Sequence, residues 1–139
     1  MSEQLHAIVD RARQASGAQA CSILVHEPES RTLVFAAMSG EGAESLVGVK
    51  IPDDTGVAGW VLAAGERLLL EDVMHDRRFA EDIAEIIGYV PRRLMAAPLV
   101  CDGRVLGVLE VLDCPAQASF VETGQLEAFA DETVRALQD

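Results

Sequence analysis

At 139 residues, half of them hydrophobic and with a mean hydropathy of +0.19, the chain is sized for one packed domain; such a domain buries about two thirds of its unfolded surface. A formal net charge of −12 and a pI near 4.5 repel nucleic acid and anionic membranes. No apolar run approaches the roughly 20 residues that span a bilayer, and the N-terminus lacks the layout of a signal peptide, so a cytoplasmic protein is expected.

Leu5, Ile8, Val9, Ala12 and Ala15 keep a helical stripe from about Ser2 to Gly17, with Ser2 placed to cap the start and Gly17 to end it. Ala20 to His26 is a largely buried strand, Glu27 to Ser30 a turn, and Arg31 to Met38 the second strand of a hairpin. Ser39 to Val47 is a loop with one helical turn. Ile51 and Pro52 lead into a polar turn, Asp53-Asp54-Thr55, and then a helix from about Gly56 to Ala64. Gly56 and Gly59 each cost a helix interior roughly 1 kcal/mol, which points to close backbone approach, to the sheet or to a ligand.

A short strand follows from Arg67 to Glu71, then a charged loop, Asp72 to Arg78, closing on Phe79. Phe79 to Gly88 reads as a short amphipathic helix carrying Ile83, Ile86 and Ile87. Arg92-Arg93 opens a strand through Val100, Cys101-Asp102-Gly103 is a tight turn with Asp-Gly chemistry, and Arg104 to Asp113 is the return strand. Pro115 to Ser119 is a linker, and the last helix runs from about Glu122 to Leu137, capped by Ser119 or Thr123. The order of elements predicts an α+β domain: a central antiparallel sheet of five to six strands flanked by helices.

Cys21, Cys101 and Cys114, with His6, His26 and His75, share no metal-ligand spacing, and neither a metal nor a cofactor is expected. The chain contains no Gly-x-Ser-x-Gly, P-loop, GxGxxG or His-Glu metal helix.

Four motifs in this order and spacing resemble the GAF domain family, sensory modules of phosphodiesterases, phytochromes and bacterial signalling proteins. They are IP-x3-GVAGWV (Ile51 to Val61), G-x-R-LLLEDV (Gly65 to Val73), D-x-RF (Asp76 to Phe79) and PL-x4-RVLGVLEVLD (Pro98 to Asp113). The resemblance implies one bacterial-type sensory domain over residues 1–139, binding an unknown small, partly apolar molecule over the sheet. The implied ligand positions are Met38, Ser39, Val57, Ala58, Ala80, Ile83, Ile87, Pro91 and Glu110. A ligand-free interaction module is the alternative.

The family's enzymatic branch, the free methionine-R-sulfoxide reductases, needs pocket cysteines; here the first two places hold Val49 or Lys50 and Ala58, so no catalysis is expected. The cyclic-nucleotide signature is broken too: its places read Asp113-Cys114, Phe120 and Gly124-Gln125. The polar contacts of that branch fall on Ala84, Ile87 and Pro91, and its base-stacking aromatic on Met38. Glu110 falls where the family places a ligand-facing acid, in an apolar strand and sharing a face with Leu106, Val108 and Leu112. It either lines a cavity or pairs with Arg92 or Arg93. Small-residue flanks on the terminal helices (Ala7, Ala12, Ala15; Ala128, Ala130, Ala136) predict a homodimer, and a signalling partner in trans is the implied output.

Overall fold

The computed structural model describes residues 2–40, 42–79 and 90–138. Six strands form one antiparallel sheet in the order β3-β2-β1-β6-β5-β4. They are β1 (Ala20–Glu27), β2 (Thr32–Gly40), β3 (Lys50–Pro52), β4 (Leu68–Leu70), β5 (Leu94–Cys101) and β6 (Arg104–Leu112). Among the described residues the helices are α1 (Ser2–Ser16), α2 (Ala43–Leu46), α3 (Gly56–Ala64), α4 (Gln117–Glu122) and α5 (Gln125–Gln138), with a 3-10 turn at Val73–His75.

Each face of the sheet carries its own core. On one face α1, α4 and α5 bury Leu5, Ile8, Val9, Phe120, Leu126 and Val134 against Ile23, Met95, Leu109 and Val111. On the other, α2 and α3 bury Leu46, Val57, Ala58 and Val61 against Leu24, Leu33, Phe35, Ala96, Val108 and Leu112. The period-2 alternation of the strands produces this split, because neighbouring side chains point to opposite faces.

Several boundaries differ from expectation for identifiable reasons. Ala15 is exposed, and Ser2 is the first residue of α1 rather than its cap. Gly17, at φ 72, does end α1, its N–H bonding to the Arg13 carbonyl at 3.0 Å. Arg31 sits at φ 57 in the β1–β2 turn, so β2 starts at Thr32. Lys50-Ile51-Pro52 is a strand, not only a turn entry, because it pairs with Thr32–Val34. Arg92 and Arg93 precede β5, both donating their backbone N–H to Asp113 Oδ1, at 2.8 and 2.9 Å.

The expected linker after Pro115 is helix α4. Gln117 anchors it, 2% exposed, donating to the Leu70 carbonyl at 3.3 Å. Gly124, at φ 76, separates α4 from α5. Ser119 therefore lies inside α4 rather than capping α5, and the Thr123 hydroxyl turns back to the Ser119 carbonyl at 3.0 Å. The Cys101–Gly103 turn is as expected: Asp102 and Gly103 both take positive φ, 51 and 78, which closes a two-residue hairpin. The helix expected over Phe79 to Gly88 lies outside the described residues from position 80 onward.

Candidate functional site

Register places five residues in one row across the face that α3 covers: Met38, Ser22, Glu110, Ala96 and Leu68, on β2, β1, β6, β5 and β4. Ser22 is 1% exposed and Glu110 8%. Among the described residues neither side chain has a hydrogen-bond or ion-pair partner. Among the described residues neither arginine proposed for Glu110 pairs with it. Arg93 Nε lies 3.3 Å from Glu71 Oε2, and the backbone groups of Arg92 and Arg93 hold Asp113. The salt-bridge alternative is thereby overturned. With no compensating charge, burial pushes the Glu110 carboxyl up to about 7.

Met38, Val57 and Ala58 are buried in the core on Glu110's side of the sheet, and Pro91 is buried just before β5. Ser39 is not part of this group. Strand β2 continues to Gly40, so Ser39 faces the opposite side, where its hydroxyl accepts from Arg13 Nε at 2.7 Å. Leu106 also leaves the expected face and packs toward the terminal helices, because the register shifts between Leu99 and Val100 and leaves Leu106 unpaired on β6. Ala80, Ile83, Ile87 and the nucleotide-contact position Ala84 lie outside the described residues. Ser22 was missed by sequence reasoning. Only the pairing register, which sets it beside Glu110, marks it.

Helix α3 is held from two sides. Gly59 makes a close approach, to neither sheet nor ligand: a Cβ there would lie 2.9 Å from the Asp54 carbonyl carbon and 3.0 Å from the Asp53 carbonyl oxygen. Asp53 Oδ2 in turn meets His26 Nε2 at the end of β1, at 2.9 Å. On the other side Asp76 receives Arg78 through Nε at 2.9 Å, Nη2 at 2.7 Å and the backbone N–H at 2.8 Å. Those bonds draw the Asp76 carboxyl down to about 2. The Arg78 guanidinium, fixed this way, sits 4.9 Å from the centroid of the Trp60 ring. The D-x-RF motif is thus a clamp on α3.

Two of the three thiols, Cys21 and Cys114, are buried. Burial, then the nearby Glu110 charge, pushes the Cys21 thiol far up, and burial raises Cys114, whose Sγ contacts the Ser16 carbonyl at 3.3 Å. Cys101 lies at the β5–β6 hairpin beside Asp102 and Gln138. Among the described residues no helix is long and apolar enough to cross a membrane, and no three His, Cys, Asp or Glu converge on a potential metal position.

The profile of the family described as "GAF domain" matches residues 1–137. Over 118 residues the chain is 31% identical to the cone cGMP-specific 3',5'-cyclic phosphodiesterase subunit alpha' of Mus musculus, covering 77% of this chain and 14% of that protein. Over 66 residues it is 32% identical to the dual 3',5'-cyclic-AMP and -GMP phosphodiesterase 11A of Takifugu rubripes, covering 47% of this chain and 7% of that protein. The chain thus spans a small part of the length of these curated relatives. Among solved structures it resembles the GAF domain of a phosphoenolpyruvate-protein phosphotransferase from Coxiella burnetii, with TM-score 0.80, 21% identity, and 99% of this chain and 84% of that chain covered. It also resembles a free methionine-R-sulfoxide reductase from Neisseria meningitidis in complex with its substrate, with TM-score 0.73, 24% identity, and coverage of 95% and 76%. At those identities the likeness is one of fold. With its six-stranded antiparallel sheet walled by helices and a profile match over nearly its whole length, the chain belongs to the GAF domain family.

Proposed function

We propose that this GAF domain is a cytoplasmic sensory module that binds a small, partly apolar ligand carrying an amine or ring N–H. One observation carries the reading: Glu110 is buried on the α3 face with no partner among the described residues, and Ser22 stands beside it. A buried carboxyl without a partner is costly, and a ligand donor removes that cost. Met38, Val57 and Ala58 supply the apolar surroundings. A thermal-shift screen of small amines against matched alcohols and carboxylates tests it: amines should raise the melting temperature by several degrees. A library that leaves the wild type unmoved rejects ligand sensing and favours the interaction-module alternative.

The domain is a sensor rather than an enzyme in this reading. A thioredoxin system supplied with free methionine sulfoxide should oxidise no NADPH above background in its presence. Turnover that vanishes in Cys101→Ser or Cys114→Ser protein would refute this. Output passes through the terminal helices to a second copy or to a signalling partner in trans. The support is that α1 and α5 lie side by side on one face of the sheet, joined by the Arg11–Glu132 ion pair.

A further inference from the structure

The edge of β5 carries an arrangement that the ligand reading does not use. Strand β4 pairs only with Leu94–Ala96, whereas β5 continues to Cys101. Two bonds fix which main-chain groups point outward: Val73 N–H reaches the Arg92 carbonyl from the β4 side, and Asp113 N–H reaches the Arg93 carbonyl from the β6 side, each at 3.0 Å. Strand alternation then turns the even-numbered positions of β5 toward β4. The register shift near Leu99 is absorbed by Leu106 on β6, so β5 keeps its alternation. Past the end of β4 the Pro98 carbonyl and the Val100 N–H and carbonyl point outward, with no backbone partner among the described residues.

This edge forms the floor of a groove of about 560 Å³, with Ala97, Pro98 and Val100 below, Glu66 and Arg67 on one bank, and Glu127, Ala130 and Asp131 of α5 on the other. Val100 is 46% exposed, an apolar β-branched side chain at an unpaired edge. Arg67 is taken up by Glu127, while among the described residues Glu66 and Asp131 form no ion pair. The uncompensated charge of the groove is therefore negative.

We propose that this groove docks an extended, basic segment of another protein, which adds to β5 as a strand. The partner bonds to the Pro98 carbonyl and to both main-chain groups of Val100, lays a small apolar side chain near Val100, and directs Lys or Arg toward Glu66 and Asp131. Pro98 has no N–H, so only a register that sets a partner N–H opposite its carbonyl is accepted. A second copy of this chain is disfavoured as occupant, since it would bring the same acidic edge against itself.

The test titrates the protein into a fluorescein-labelled peptide of alternating valine and arginine, with a valine–glutamate peptide as control. Two double variants separate local from bulk charge: Glu66→Arg/Asp131→Arg in the groove, and Glu3→Arg/Glu29→Arg at exposed positions away from it. Both exchange two acids for two arginines and so change the net charge equally. Saturable binding of the basic peptide is expected, kept by the remote variant, weakened about tenfold or more in the groove variant, and accompanied by slowed hydrogen exchange at the Val100 amide. Equal weakening in both variants makes the binding a bulk-charge effect and overturns the proposal. So does the absence of saturable binding near ~1 mM. A free protein whose Val100 amide is already protected within a dimer assigns the edge to a second copy and likewise overturns it.

Discussion

Ser22 and Glu110 stand directly opposite each other on β1 and β6, two polar side chains paired across the interior of an otherwise apolar row. Cross-strand partners have Cβ atoms about 5 Å apart, so a single ligand donor group can reach both. The pair also makes the stability of the empty domain depend on pH.

The carboxyl of Glu110 titrates near 7 in the folded chain, against 4.5 when exposed. Its folded pKa is raised, so below pH 4.5 the group is neutral in both states and folding is unpenalised. Stability then falls as pH rises through 7, with a ceiling of roughly 3 kcal/mol. Glu110→Gln should therefore stabilise the empty protein by ~1–3 kcal/mol at pH 8 and change little at pH 4. Urea melts of both proteins at the two pH values check this. A clear loss in the mutant at pH 8 points to a charged partner and ends the pocket assignment.

Gly59→Ala weighs two effects of opposite sign. Alanine gains about 1 kcal/mol of helix propensity. Its Cβ, however, would press on the Asp53-Asp54 backbone, which the His26 contact holds in place. The clash should win, with a net loss of ~1–3 kcal/mol by thermal or chemical melt. A stabilised variant would mean the turn yields.

Cyclic AMP and cyclic GMP should bind no tighter than about millimolar, ~4 kcal/mol of binding free energy. Asp113 is engaged with the backbone of Arg92 and Arg93, Gly124 is a helix break, and Pro91 offers no donor. Calorimetric titration is the check, and a micromolar constant for either nucleotide contradicts the prediction.

The terminal helices should form a homodimer, although only part of the small-residue flank is free for it. Ala12, Ala130 and Ala136 are buried within the domain, leaving Ala7, Ala15 and Ala128 exposed. Light scattering at high micromolar concentration should return twice 14.9 kDa. Ala7→Arg with Ala128→Arg should return it to the monomer mass, and a monomeric wild type rules the dimer out.

Local chemistry made much of this fold legible. The Asp102-Gly103 pair announces a hairpin because both residues tolerate positive φ, and the stripe of α1 announces its buried face. What failed depends on distant partners. Helix α4 has six residues and no side-chain cap, too short for a periodic stripe, and tertiary packing through Gln117 holds it. The family resemblance groups Ser39 with Met38. Once β2 continues, adjacent residues must face opposite sides. Leu106 was misplaced by a register shift with no local signature. For Glu110 the sequence left two answers open, and only the placement of Arg93 beside Glu71 chose between them.

Trp60 is the chain's single tryptophan, and the guanidinium of Arg78 rests on its ring. The tryptophan emission of the protein therefore comes from one indole whose immediate neighbour is a charge anchored by the loop through Asp76. Whatever draws that loop away from α3 changes the dielectric around the emitter. The domain thus carries its own optical gauge of the clamp, readable without label or mutation.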